Sequence, residues 1–107
     1  MVRIQGSLEM IVGFRDRWLE EFFVRESPSR NIPPNLEARL FRKLQLLDDA
    51  NSDADLRVPP SNHFERLRGN LAGWNSIRVN NQWRLIFIWE GSKGEISKVY
   101  LDKHEYR

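Results

Sequence analysis

Cysteine is absent from this 107-residue sequence, which removes disulfides and thiolate metal sites from consideration. Histidine is nearly absent as well: the two present, His63 and His104, are too few for a His-based zinc site. No apolar run approaches the roughly 20 residues that a membrane span needs, and no signal-peptide pattern opens the chain. The expectation is a cytoplasmic protein with no cofactor, no metal and no membrane partner. Neither an internal repeat nor a low-complexity stretch is visible. Net charge is low too, at +2, but it is unevenly spread. From Val58 onward, Arg66, Arg68, Arg78, Arg84, Lys93, Lys98, Lys103 and Arg107 outnumber Glu65, Glu90, Glu95, Asp102 and Glu105. A basic C-terminal half is compatible with a polyanion partner, and a solvated sheet edge has a similar composition.

What the chain does have is a concentrated β pattern between Gly73 and Trp89. Ile77 and Val79 alternate with Ser76 and Arg78, the period-2 signature of a strand with one buried face. Leu85 to Trp89 is apolar without a break, as in a central strand covered on both faces. Asn80-Asn81 between them suits a two-residue hairpin turn, because asparagine tolerates positive φ. Arg84 interrupts the apolar run at its edge. A guanidinium cannot be buried alone, so it meets a carboxylate, reaches solvent or awaits an anionic ligand.

Around this hairpin the rest of the chain falls into order. Residues 1–9 read as a cloning remnant or a frayed N-terminus outside the fold, and residues 10–107 as a single domain. Ile11–Phe14 is a short strand. Asp16 opens a helix to about Arg25 with Trp18, Phe22 and Phe23 as its apolar stripe. Ser27 to Pro34 holds three prolines and is a connection. Asn35 is the expected N-cap of a second helix reaching Asp49, with Glu37 in its first turn and Leu36, Leu40, Leu44 and Leu47 on one face. Arg39, Arg42 and Lys43 read as its solvated side. Asn51–Ala54 is linker, and Val58-Pro59-Pro60-Ser61 an extended loop. Strands follow at Phe64–Arg68, in the hairpin, and from Ile96 to Leu101, with Glu90–Gly94 as the turn before the last. The class is α+β: two N-terminal helices packed on one face of a small, mainly antiparallel sheet, leaving the other face for function.

Three places add polar side chains to that sheet. His63, Glu65 and Arg68 flank Phe64 and Leu67, Arg84 lies on the central strand, and Asp102-Lys103-His104-Glu105-Tyr106-Arg107 ends the chain. Pairing of the last strand with Trp83–Trp89 brings Asp102 and its neighbours toward Arg84. Acid, base and cation from separate elements then converge, which suits cleavage of RNA by its own 2′-hydroxyl without a metal. The hydroxyl loses a proton, the phosphorane is neutralised, and the leaving 5′-oxygen gains a proton. Candidate catalytic residues are Arg84, Asp102, His104, Tyr106 and Glu65; candidate RNA-binding residues are Arg66, Arg68, Arg78, Arg107 and His63. Forked arginine donors match phosphate oxygens. Alternation puts Asp102, His104 and Tyr106 on one side, with Lys103 and Glu105 on the other.

The series Leu67-Arg68-Gly69, Gly73-Trp74-Asn75-Ser76-Ile77-Arg78-Val79-Asn80 and Gln82-Trp83-Arg84-Leu85-Ile86-Phe87 resembles the HigB-type toxins, or plasmid-maintenance killer proteins, of the RelE/ParE superfamily. The likeness spans residues 10 to 107. It implies a RelE-like fold, a toxin monomeric on its own, a HigA-type antitoxin, and ribosome-dependent cleavage of mRNA in the A site to leave a 2′,3′-cyclic phosphate. Arg84 matches the family's active-site arginine and Arg68 its phosphate-binding lysine. Members commonly end the last strand in Asp-Tyr-His, where this chain has Asp102-Lys103-His104, with Tyr106 two residues on. Where a histidine often precedes the Leu-Lys-Gly segment this chain has Glu65, with His63 two residues earlier. The same fold also serves ParE-like poisons of DNA gyrase, and the departures at Glu65 and Lys103 leave room for a degenerate, antitoxin-binding member.

Overall fold

Alternation in the β-rich half and a 3.6-residue period in the helices give each layer one apolar face, and those faces meet in a single core. The structure, a computed structural model, describes residues 11–90 and 94–103. Helices α1 (Arg17–Arg25), α2 (Glu37–Asp49) and α3 (Asp53–Leu56) precede strands β1 (Glu65–Arg66), β2 (Trp74–Arg78), β3 (Trp83–Glu90) and β4 (Glu95–Lys103). The described strands form one sheet in the order β1-β2-β3-β4, antiparallel throughout. Leu19, Phe22 and Phe23 of α1 and Leu40, Leu44 and Leu47 of α2 bury against Ile77, Leu85, Phe87, Val99 and Leu101. Phe41 packs between the helices, its ring 5.5 Å from Phe23 and edge-on to Phe22 at 6.0 Å. Leu19 takes the deep position in α1 that the sequence assigned to Trp18, which lies half-buried at the core's rim.

Several local expectations are revised by the backbone. Ile11–Phe14 is not a strand in its own right; it runs parallel to β4 through isolated bridges Ile11 to Ile96 and Phe14 to Val99. Asn35 does not cap α2. Pro34 opens a 3-10 turn over Pro34–Leu36 that leads straight into the helix, so Leu36 occupies the cap position. The expected linker around Asn51–Ala54 contains the one-turn helix α3. Phe64–Arg68 contracts to the two-residue β1, in which Glu65 and Arg66 are ladder partners of Ser76 and Asn75 on β2, and the Leu67 N–H closes the pairing on the Trp74 carbonyl at 2.8 Å.

The hairpin turn also differs. Asn80 and Asn81 do not adopt positive φ; instead the Asn80 side-chain oxygen accepts the backbone N–H groups of Gln82 and Trp83, both at 2.8 Å. An Asx-type side-chain bond therefore makes the turn that left-handed backbone would otherwise make. The last strand is longer than Ile96–Leu101 at both ends. It carries a bulge: Ile88 pairs with Ser97 and Ile86 with Tyr100, leaving Lys98 and Val99 opposite Phe87, with Lys98 at φ 54°. Residues 1–10, the 91–93 part of the expected turn, and His104, Glu105, Tyr106 and Arg107 lie outside the described residues.

Candidate active site

Ladder register fixes which side chains share the sheet face turned away from the helices. Ile77, Leu85 and Leu101 form one rung on the core side. The adjacent rung, on the opposite face, is Arg78–Arg84–Asp102, and the next rung on that face is Glu65–Ser76–Ile86–Tyr100. Four antiparallel strands thus bring two arginines, two carboxylates and a tyrosine onto one surface. A hollow of about 170 Å³ opens there, lined by His63, Glu65, Ser76, Arg78, Asn80, Trp83 and Arg84.

Arg84 is the centre of this surface. Arg78 and Asp102 are its ladder neighbours, so a like charge lies opposite on one side and a carboxylate on the other. Its Nε stands 3.6 Å from Asp102 Oδ2, with side chains 22% and 40% exposed. That separation is an ion pair but too long for a hydrogen bond, and Nε is buried without any hydrogen-bond partner. An unsatisfied buried donor costs roughly 1–3 kcal/mol. Fixed there by the ladder, it is set up to gain from an arriving anion.

Beside it lies Tyr100, only 9% exposed. Arg15 stacks its guanidinium 3.7 Å from the ring centre, and Trp74 meets the ring nearly edge-on at 5.6 Å. Burial first, and then the Asp102 charge, push the phenol above its ordinary range, while Arg15 and Arg84 pull the other way. At neutral pH the hydroxyl is held protonated, a donor next to a carboxylate and a guanidinium. The sequence reading missed this residue because Val99-Tyr100-Leu101 looks like unbroken core. Stepping back by two from Asp102, which alternation licenses, would have found it.

The other candidates separate. His63 and Glu65 line the hollow with Arg78 and Arg84. His63 belongs to no strand: it ends the 3-10 turn Pro60–Asn62 in the left-handed region at φ 44°. Asn62 fixes that turn, its amide nitrogen donating to the carbonyls of Leu56 and Val58 at 3.1 and 3.0 Å while its oxygen accepts from Lys43 Nζ. Arg66 is not brought to the site. It pairs across β2 with Asn75, on the core-side parity, and its Nη2 binds Asp53 Oδ2 at 2.8 Å. Arg68 is exposed at the start of the 3-10 turn Gly69–Leu71 and does not line the hollow. Lys103 pairs with Trp83, 6.0 Å above its ring, one rung off the Arg84–Asp102 parity. His104, Tyr106 and Arg107 lie outside the described residues. Among the described residues no group of three or more His, Cys, Asp or Glu is placed to hold a metal, and no helix is long and apolar enough to cross a membrane.

Known proteins resemble this chain along almost its whole length. The sequence model of a family described as the RelE-like toxin of type II toxin–antitoxin system HigB matches residues 12–104. Toxin HigB-1 of Vibrio cholerae serotype O1 is 52% identical over 97 residues, covering 91% of this chain and all of the relative. A protein of Haemophilus influenzae is 41% identical over 93 residues, covering 87% of this chain and 90% of its own. The toxin–antitoxin complex RelBE2 of Mycobacterium tuberculosis contains a chain that superposes with a TM-score of 0.49 at 16% identity, covering 92% of this chain and all of that one. With a family match across the helices, the hairpin and β4, the chain belongs to the HigB family of RelE-like toxins of type II toxin–antitoxin systems.

Proposed function

We propose that this HigB-family toxin is an endoribonuclease that cuts mRNA on the ribosome, without a metal, by attack of the RNA's own 2′-hydroxyl, and that a HigA-type antitoxin restrains it. The observation that carries the reading is the buried, unbonded Nε of Arg84, held between a second arginine and a carboxylate beside an open hollow. A phosphate there gives the guanidinium the partner that it lacks, and the gain is largest when charge peaks in the phosphorane. In this reading Asp102 or Glu65 takes the 2′-proton as the O2′–P bond forms. The P–O5′ bond breaks, and the 5′-oxygen collects a proton from the group that Tyr100, His104 and Tyr106 supply between them. The products are a 2′,3′-cyclic phosphate and a 5′-hydroxyl. His63 and Arg78 line the approach to the phosphate; in this reading Arg68 contacts a further phosphate, and Arg107 remains an RNA-binding candidate from the sequence.

Mapping RNA ends after brief induction tests it. Discrete cuts in translated messages, with cyclic-phosphate 3′ ends, are expected from the wild type and not from Arg84→Ala. Intact RNA together with trapped gyrase–DNA complexes would overturn the nuclease reading in favour of a gyrase poison. Intact RNA and no trapped gyrase would leave an inert antitoxin binder.

A further inference from the structure

Past the hairpin tip, the active-site hollow gives way to a second concavity of about 390 Å³. One wall is helical: Arg39, Arg42 and Lys43 stand at i, i+3 and i+4 on α2, a single helix face. The sequence alone reads them as a solvated side. Arg39 and Arg42 are indeed exposed, and the fold turns this face toward Ser61 and the Asn80–Asn81 tip. His63, Arg78 and Asn80 line both concavities, so the two are consecutive stretches of one surface. No described carboxylate lines the second.

Cations gathered this way repel one another. Arg39 and Arg42 have no ion-pair or hydrogen-bond partner among the described residues. Lys43 is anchored on the buried Asn62 rather than splayed into water, and burial, then Arg39 and Arg42, hold its ammonium below the ordinary lysine range. A helix face with uncompensated cations, facing a rim that adds Arg78 and no described carboxylate, gains most from a ligand carrying regularly repeated negative charge.

We infer that the RNA strand whose scissile phosphate lies at Arg84 continues past His63 and Arg78 onto this α2 shelf, where its backbone phosphates meet Arg39 and Arg42. The inference rests on the nuclease reading above and extends it from one phosphate to a directed track. The shared rim favours RNA over an acidic protein segment, because the ligand on the shelf is then the same strand that fills the hollow.

Fluorescence anisotropy with the full chain tests the track, using 2′-O-methyl oligoribonucleotides that lack the attacking hydroxyl. The trimer is chosen to fill the hollow alone and the nonamer to extend past it. The wild type is expected to bind the nonamer more tightly than the trimer. The double variant Arg39→Ala/Arg42→Ala should lose about tenfold or more on the nonamer and nothing on the trimer. Its log K against log salt should flatten by about 1.4, at roughly 0.7 per single-strand phosphate contact. Arg39→Lys/Arg42→Lys should keep most of the affinity, since charge rather than helix packing is at stake. Unchanged nonamer affinity and slope in the alanine variant overturn the shelf, as does no wild-type RNA binding at low salt. A loss confined to antitoxin binding overturns it too, by assigning the surface to protein. The nuclease reading fails separately: wild-type toxin that leaves translated mRNA uncut sinks that reading whatever the shelf variant binds.

Discussion

Replacing Arg84 by alanine should remove catalysis while sparing the fold, and the structure sets the size of both effects. On the stability side, the side chain's described ionic contact is the 3.6 Å approach to Asp102, whose carboxylate is 40% exposed. Solvent screening holds such a pair to roughly 0–1 kcal/mol. Loss of packing by the arginine stem is destabilising, whereas deleting Nε also deletes a buried donor without a partner. These opposing changes leave a net effect within about 1 kcal/mol, a Tm shift of no more than about 8 °C for a domain of this size. On the catalytic side, a charge-assisted contact to the phosphorane is worth roughly 3 kcal/mol or more, about a hundredfold in rate. Arg84→Lys should stay within about tenfold of alanine, because a point charge replaces the fork poorly.

Single-turnover cleavage of a short message in a reconstituted translation mixture, alongside thermal melts of each variant, reads both quantities. Cleavage by Arg84→Ala within about threefold of wild type at equal soluble concentration would remove Arg84 from the chemistry. A melt lowered by more than about 15 °C would recast the arginine as a structural member of the Arg78–Arg84–Asp102 rung.

Other substitutions probe neighbouring parts of the same surface and its support. Tyr100→Phe keeps the ring under Arg15 but loses the hydroxyl, so cleavage should fall about tenfold or more with little change in Tm at neutral pH. Because the folded state holds the phenol's pKa above its usual 10, its contribution to stability is complete below about pH 10 and lost as pH rises through the higher folded value; wild-type Tm should therefore fall faster than that of Tyr100→Phe in strongly alkaline buffer, and parallel curves would contradict it. Arg66→Ala should leave cleavage within about twofold and cost about 0.2–1 kcal/mol through its exposed pair with Asp53, so a large loss of cleavage would return Arg66 to the RNA path. Phe87→Ala, deep in the core, should cost roughly 3–5 kcal/mol in denaturant melts, and a value under about 1 kcal/mol would show that β3 is not the central support described.

The parts of the fold legible in the sequence were those where one period ran undisturbed. Leu40, Leu44 and Leu47 gave α2 its buried face, and the Leu85–Phe87 run marked the central strand; both lie where expected. The misses share a cause: a side chain or a tertiary contact set the backbone against the local pattern. Asn80 made its turn with a side-chain oxygen instead of positive φ. Pro34 replaced a side-chain cap with a 3-10 entry. Arg66 reaches Asp53, 13 residues away, a contact that no local pattern indicates. Arg84 was legible as an anomaly, a cation in an apolar run. That its Nε would lack a bond even beside Asp102 depends on a separation that only the packed strands decide.

The tyrosine of the site shows how strand parity can mislead. Counting forward from Asp102 by two leads to His104 and then Tyr106, the tyrosine that alternation favours at the end of the chain. Counting backward by the same rule leads to Tyr100, inside the described ladder and opposite Ile86. Val99-Tyr100-Leu101 looks like unbroken core, and strict alternation from Ile96 would put Tyr100 and Asp102 alike on the core side. The bulge removes the conflict: two residues, Lys98 and Val99, oppose Phe87, so facing reverses between Ile96 and Tyr100. Ile96, Val99 and Leu101 then all enter the core while Tyr100 and Asp102 turn to the open face. Side-chain facing along a strand has to be counted from its last bulge, and on β4 that count puts Tyr100, Asp102 and Arg84 on one surface.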